Sequence, residues 1–403
     1  MQGKYDIFVL WHRISCVHSD PNCESALERH RCSDEPRAGP LSGLGHDRTA
    51  DDSLLGARPK GRTRSPRAKV ALSDWCQELC FIRDLIRTTA VITIADACRP
   101  LAGAVSSGRD QERNSRGAAK ASQSMEVTAD FQDDDLSRFA ADGAAALPTA
   151  EKEGYVEHEG ARIWYAWYGA GFPVILLHGG LGHSGNWGYQ IPALLSNGYR
   201  AILIDSRGHG RSTRDSRPCD YELMASDVLA VMDELHLEMP AFVGWSDGAT
   251  IALIVAMKAP KRVAGVFFFA CKMDTSGDKE IIELTPILER CLSRHAKDYS
   301  QLSATPNEFK AFAEAVSLKM KTQPNYSAQD LAKISVPVAI VQGEHDEFIR
   351  HEHAEYLART IPNAEFVDLK EVSHFAPLQR PNQFNTAMLA FLGSHLKIQE
   401  NAS

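Results

Sequence analysis

Between residues 173 and 341, five short apolar runs recur with helix-length segments between them, and this rhythm limits the possible folds more than any other feature. The runs are 173–177, 201–204, 241–243, 263–270 and 336–341. The segments between them are amphipathic: in 222–237, for example, Leu223, Val228, Val231 and Met232 fall near helical spacing. Strands joined through single helices require right-handed crossovers, which gives an α/β fold with a mainly parallel, doubly wound sheet buried on both faces. Ahead of them, 155–160 and 161–169 read as an antiparallel hairpin turning at Gly160. The rhythm breaks over 274–335, where amphipathic stretches around 281–292 and 308–320 predict an inserted helical cap.

Charge divides the chain in two. Residues 1–124 carry 19 Lys and Arg against 15 Asp and Glu, leaving 25 basic and 37 acidic side chains for the remainder. An acidic body argues against nucleic acid or an anionic membrane as the main partner, so a small-molecule substrate is expected. No stretch is apolar enough to span a bilayer, and the first residues lack the basic and apolar regions of a targeting segment, so a cytoplasmic location is expected. The body holds only Cys219, Cys271 and Cys291, consistent with a reduced protein that has no disulfide framework. Cys16, Cys23, His30 and Cys32 match no paired-ligand spacing, and no metal is expected there. Residues 1–124 are rich in Arg, Ser, Gly and Pro and are expected to be a disordered extension, with Met125 a candidate true start. Residues 125–152 read as a linker and 153–398 as the folded domain.

The chemistry starts in the run that ends Phe242-Val243-Gly244-Trp245-Ser246-Asp247-Gly248, which passes directly into a helix-length apolar stretch, 249–257. A serine on a sharp strand-to-helix turn projects its hydroxyl from the sheet, and glycines two residues before and after it leave the clearance that turn needs. Such a nucleophile requires a base, and the base requires an acid to orient it. Asp346 follows the run 338–341, and His374 follows the strand-like segment 365–369, so the order is Ser246, Asp346, His374. Asp274 and Glu344 are rival acids. His345, His351 and His353 read as solvated loop and helix residues. Two backbone amides must stabilise the oxyanion, one from Asp247 and one from Gly180 in His178-Gly179-Gly180, or from Leu181 if the register shifts by one. Asp205, Arg207 and His209 sit in a Gly-rich loop and read as structural. No second glycine pattern supports a nucleotide, so no cofactor is expected.

Taken together, residues 153–398 resemble the α/β-hydrolase superfamily, and Gly-Trp-Ser-Asp-Gly resembles the elbow of biphenyl hydrolase-like serine hydrolases, a group that includes amino-acid ester hydrolases. Ala249 stands where that group frequently has a third glycine. The resemblance implies a cofactor-independent serine esterase with a catalytic triad and an acyl-enzyme, with Asp247, Leu181 and Trp245 lining the substrate site. It also implies that the Asp247 carboxylate meets a substrate ammonium, the alternative being that this carboxylate faces other groups. Phe309, Phe312, Leu318 and Met320 of the cap are candidate acyl-pocket residues. Two other readings stay open: a lactone, amide or carbon-carbon bond hydrolase on the same triad, or a non-enzymatic ligand-binding protein.

Overall fold

The computed structural model describes residues 134–395 except 283 and 284. The expectations for residues 1–124, for Met125 and for Cys16, Cys23, His30 and Cys32 lie outside the described residues. Eight strands form one sheet: β1 (Lys152–His158), β2 (Ala161–Tyr168), β3 (Phe172–Leu177), β4 (Tyr199–Ile204), β5 (Ala241–Trp245), β6 (Gly265–Phe269), β7 (Val338–Gly343) and β8 (Ala364–Leu369). Their spatial order is β1-β2-β4-β3-β5-β6-β7-β8. The hairpin β1–β2 is antiparallel, β2 runs antiparallel to β4, and every pairing from β4 to β8 is parallel.

Alternation along each central strand explains why the runs are apolar throughout. Val174 and Leu176 of β3 face one core with Val243, Phe267 and Val341, while Ile175 and Leu177 face the other with Phe242, Phe268 and Ile340. A strand covered by helices on both faces has no solvent side to mark with polar residues.

The helices in chain order are α1 (Asp134–Asp142), α2 (Gln190–Ser196), α3 (Tyr221–Glu234), α4 (Asp247–Lys258), α5 (Pro286–Leu302), α6 (Phe309–Thr322), α7 (Ala328–Leu331), α8 (His351–Thr360), α9 (Ala376–Gln379) and α10 (Pro381–His395). Helices α5, α6 and α7 all lie between β6 and β7, in the segment that interrupts the strand-helix rhythm. No described helix is long and apolar enough to cross a membrane. Helix α1 falls inside the segment read as a linker. Its Leu136 and Phe139, three residues apart and so on one helix face, are buried in the core, and Gly143 at φ +90° ends the helix.

Strand order also sets where a site can form. From β3 the chain moves outward to β4, then crosses back to β5 on the other side of β3. The crevice between the carboxyl ends of β3 and β5 is therefore a topological switch point. Leu177 pairs with Gly244, Trp245 with Phe269 and Phe269 with Val341, so these strands end level and release their loops at one rim.

Candidate active site

Ser246 lies one residue beyond β5, with φ +53° and ψ −126°. A non-glycine residue in that region costs about 1–3 kcal/mol and is held there by its surroundings. Its N–H donates to the Phe269 carbonyl at 2.9 Å, and α4 starts at the next residue. A Cβ on Gly244 would lie 2.4 Å from Ala249 Cα, and one on Gly248 would lie 2.0 Å from the Leu177 carbonyl oxygen. Both glycines are thus needed for backbone to pass backbone, as the sequence pattern implies.

Asp346 and His374 meet on the loops that follow β7 and β8. His374 Nδ1 bonds Asp346 Oδ2 at 2.8 Å, and Asp346 Oδ1 accepts the N–H groups of Phe348 and Ile349, each at 2.8 Å. The carboxylate is only 1% exposed, and both its oxygens are satisfied. Burial disfavours the His374 imidazolium, but Asp346, with smaller help from Glu347 and Asp247, outweighs that effect and raises the pKa above its ordinary value. The Trp245 indole donates to the His374 carbonyl at 2.8 Å, and the Phe348 ring lies edge-on to the imidazole at 4.7 Å. Asp274 instead caps a short turn through Ser276, and Glu344 is exposed and bound to the Glu371 N–H, so neither rival acid reaches His374.

Glu347 was not singled out in the sequence. It accepts the His374 backbone N–H at 2.9 Å, and burial followed by repulsion from Asp346 raises its pKa to about 7. Its only signal in the sequence is its place beside Asp346.

The loop after β3 approaches the nucleophile closely: a Cβ on Gly179 would lie 3.3 Å from Ser246 Cβ. His178 shapes this loop. Its Nε2 accepts the Ser206 N–H at 3.0 Å, so Nδ1 carries the proton and donates to the Gly179 carbonyl at 2.8 Å. Gly180 sits against Asp247 and Met320, and Leu181 has φ +62°. As the first residue of α4, Asp247 has a backbone N–H without a partner inside the helix.

The Asp247 carboxylate faces other groups of the protein, the alternative to a substrate ammonium. Its Oδ2 receives Lys319 Nζ at 2.6 Å and its Oδ1 receives the Tyr221 hydroxyl. Lys319 is fully buried, with Nζ also 4.0 Å from the centre of the Tyr221 ring. A buried carboxylate already neutralised by an ammonium from α6 has no charge left for a substrate ammonium.

Ser246, His374, Gly180, Leu181, Trp245 and Asp247 all line one cavity of about 470 Å³. Leu292 and His295 from α5 and Phe309, Ala313 and Met320 from α6 close it from the other side. Two cap expectations fail: Phe312 is buried against Tyr299 and His209, and Leu318 is 61% exposed on the outer face of α6. Asp205, Arg207 and His209 serve the scaffold. Asp205 binds the N–H groups of Ser184 and Arg211, Arg207 grips Asp227, and His209 Nδ1 bonds the Arg207 carbonyl. His345 is exposed as expected, His351 is half-buried beside Glu355 and Asp368, and His353 is buried. Its Nε2 accepts the Met273 N–H at 3.3 Å, and burial lowers its pKa to about 4. A helix position that faces the sheet, not its sequence neighbourhood, decides that burial.

Residues 173–285, which include β3, the elbow and β6, match the family described as alpha/beta hydrolase fold. The chain has the α/β-hydrolase fold. The chain is 29% identical over 265 residues to a 2-hydroxy-6-oxononadienedioate/2-hydroxy-6-oxononatrienedioate hydrolase of Paraburkholderia phymatum, covering 58% of this chain and 91% of the relative. It is 27% identical over 272 residues to a non-heme chloroperoxidase of Streptomyces lividans, covering 59% and 98%. Among solved structures, a bromoperoxidase from Bacillus anthracis superposes with a TM-score of 0.50 at 22% identity, over 60% of this chain and all of that one. That last likeness is one of fold.

Proposed function

We propose that this α/β-hydrolase is a cofactor-independent serine hydrolase that cleaves a small carboxylic ester through an acyl-enzyme. One observation carries the reading: Ser246, held at positive φ on the elbow, lines the same cavity as His374, whose Nδ1 is bound to Asp346 at 2.8 Å. Ser246 Oγ attacks the ester carbonyl while His374 Nε2 takes its proton. The Asp346 carboxylate holds the Nδ1–H and stabilises the imidazolium. The amides of Asp247 and Gly180 donate to the oxygen that becomes negative, each being worth about 3 kcal/mol in comparable sites. The proton on Nε2 then passes to the leaving alcohol, and a water deprotonated by His374 releases the acid.

Helices α5 and α6 act as the cap, with Leu292, Phe309, Ala313 and Met320 supplying an apolar wall. A cavity of about 470 Å³ suits a small organic ester. The Lys319–Asp247 pair removes the reason to favour α-amino esters. The reading is tested by turnover of neutral esters, α-amino esters, lactones and carbon-carbon bonds beside a carbonyl, with Ser246→Ala in parallel. Neutral esters are expected to be cleaved best, with activity lost in the variant. Preference for a carbon-carbon substrate would keep the triad and replace the bond.

A further inference from the structure

His295 lies on α5 among the residues that line the cavity, and only 3% of it is exposed. The ring is stacked on Phe375, the neighbour of the base, with centroids 6.3 Å apart, and Phe139 of α1 packs on it at 5.7 Å. Neither ring nitrogen has a hydrogen-bond partner among the described residues, and Nδ1 is shut off from solvent. The nearest carboxylate on its own helix, Asp298, is already engaged by Arg294 and His183. Burial lowers the His295 pKa to about 4 despite Asp298, so at neutral pH the ring is uncharged, with one N–H donor and one acceptor nitrogen.

A buried imidazole with both nitrogens unpaired carries a desolvation penalty that two aromatic neighbours cannot relieve. Nδ1 is closed off, so the nitrogen that a molecule in the cavity can meet is Nε2, and a polar atom there relieves the penalty on that side of the ring. His295 differs in this from His178, whose two nitrogens are both used within the scaffold.

We propose that His295 is a substrate-recognition residue: the cavity takes an ester that carries an uncharged oxo, hydroxyl or amide group away from the scissile bond, and the His295 ring hydrogen-bonds that group. This deepens the serine-hydrolase reading and rests on it for the identity of the bond broken. A carboxylate at that position is disfavoured, because the ring is neutral and offers no countercharge.

The test uses the full chain and matched pairs of nitrophenyl esters of equal length, one member bearing an oxo or hydroxyl group and the other plain. In wild type the polar member is expected to have the higher kcat/KM. In His295→Phe, which keeps an aromatic ring between Phe139 and Phe375, the polar-to-plain ratio should fall about tenfold, and His295→Gln should restore part of it. An unchanged ratio across all pairs would overturn the proposal. A second measurement needs no turnover and no substitution at 295. In histidine-labelled Ser246→Ala protein, the ring nitrogens of His295 should shift in the nitrogen NMR spectrum when a polar ester is added and stay in place with its plain match. Absence of Ser246-dependent turnover alongside that shift would remove the hydrolase reading and keep the binding site. Turnover with no shift and no change in ratio would do the reverse.

Discussion

In the proposed mechanism Ser246, Asp346 and His374 handle a single proton, and the pKa of His374 decides when they work. The imidazole must be neutral to accept from Ser246, and its pKa is raised above 6.5. Activity is therefore lost as pH falls through a value above the ordinary histidine midpoint, and kcat/KM should rise with pH on that ionisation. Asp346→Asn removes the carboxylate that raises it, so the midpoint should move to lower pH and kcat should drop about 10³- to 10⁴-fold in a pH-rate profile. Ser246 and Asp346 stood out because each follows an apolar run that had to be a strand, and His374 because it follows the strand-like segment 365–369, ligand sites in such sheets lying at strand carboxyl ends. Lys319 and Glu347 did not. The Lys319–Asp247 contact joins positions 72 apart in the chain, and no local pattern marks it. Glu347 was visible as a residue but not as a half-buried one beside His374, since the loops that pack around it are not legible locally.

At the scale of elements, α6 is tied to the rim of the sheet by buried charge. Lys319 reaches Asp247, whose backbone amide is assigned to the oxyanion site, and Lys272 after β6 donates to the Met320 carbonyl at 2.6 Å and to Asp278. Lys319→Met leaves Asp247 buried without its countercharge, a loss of about 3–5 kcal/mol by comparison with broken buried pairs. Urea unfolding should register that loss, and Lys319→Met combined with Asp247→Asn should recover most of it. If the double variant is no more stable than the single, the pair is not the link. The length and helical pattern of the insertion were readable, but not which face of α6 turns inward. Phe309 and Met320 reach the cavity while Leu318 points to solvent. Helix α1 escaped because Asp134–Asp142 carries only Leu136 and Phe139 as large apolar residues, too short a pattern to stand out in a polar stretch.

For the molecule as a whole, stability should depend on pH through the same loops that form the site. Glu347 has its folded pKa raised from 4.5 to about 7, so the folded state holds a proton that the unfolded chain releases. Its contribution is fully present below about 4.5 and is lost as pH rises through about 7. Glu347→Gln should flatten the fall in Tm across that window relative to wild type, and an unchanged slope would assign the dependence to other groups. The parallel sheet was legible from the apolar runs alone because both of its faces are covered. The central claim is that Ser246 is an activated nucleophile, and labelling by a fluorophosphonate probe followed by peptide mapping tests it most directly. The account predicts one phosphonylated residue, Ser246, with labelling abolished in Ser246→Ala and strongly reduced in His374→Ala. Folded wild-type protein that takes up no label, or takes it up equally in Ser246→Ala, would contradict it.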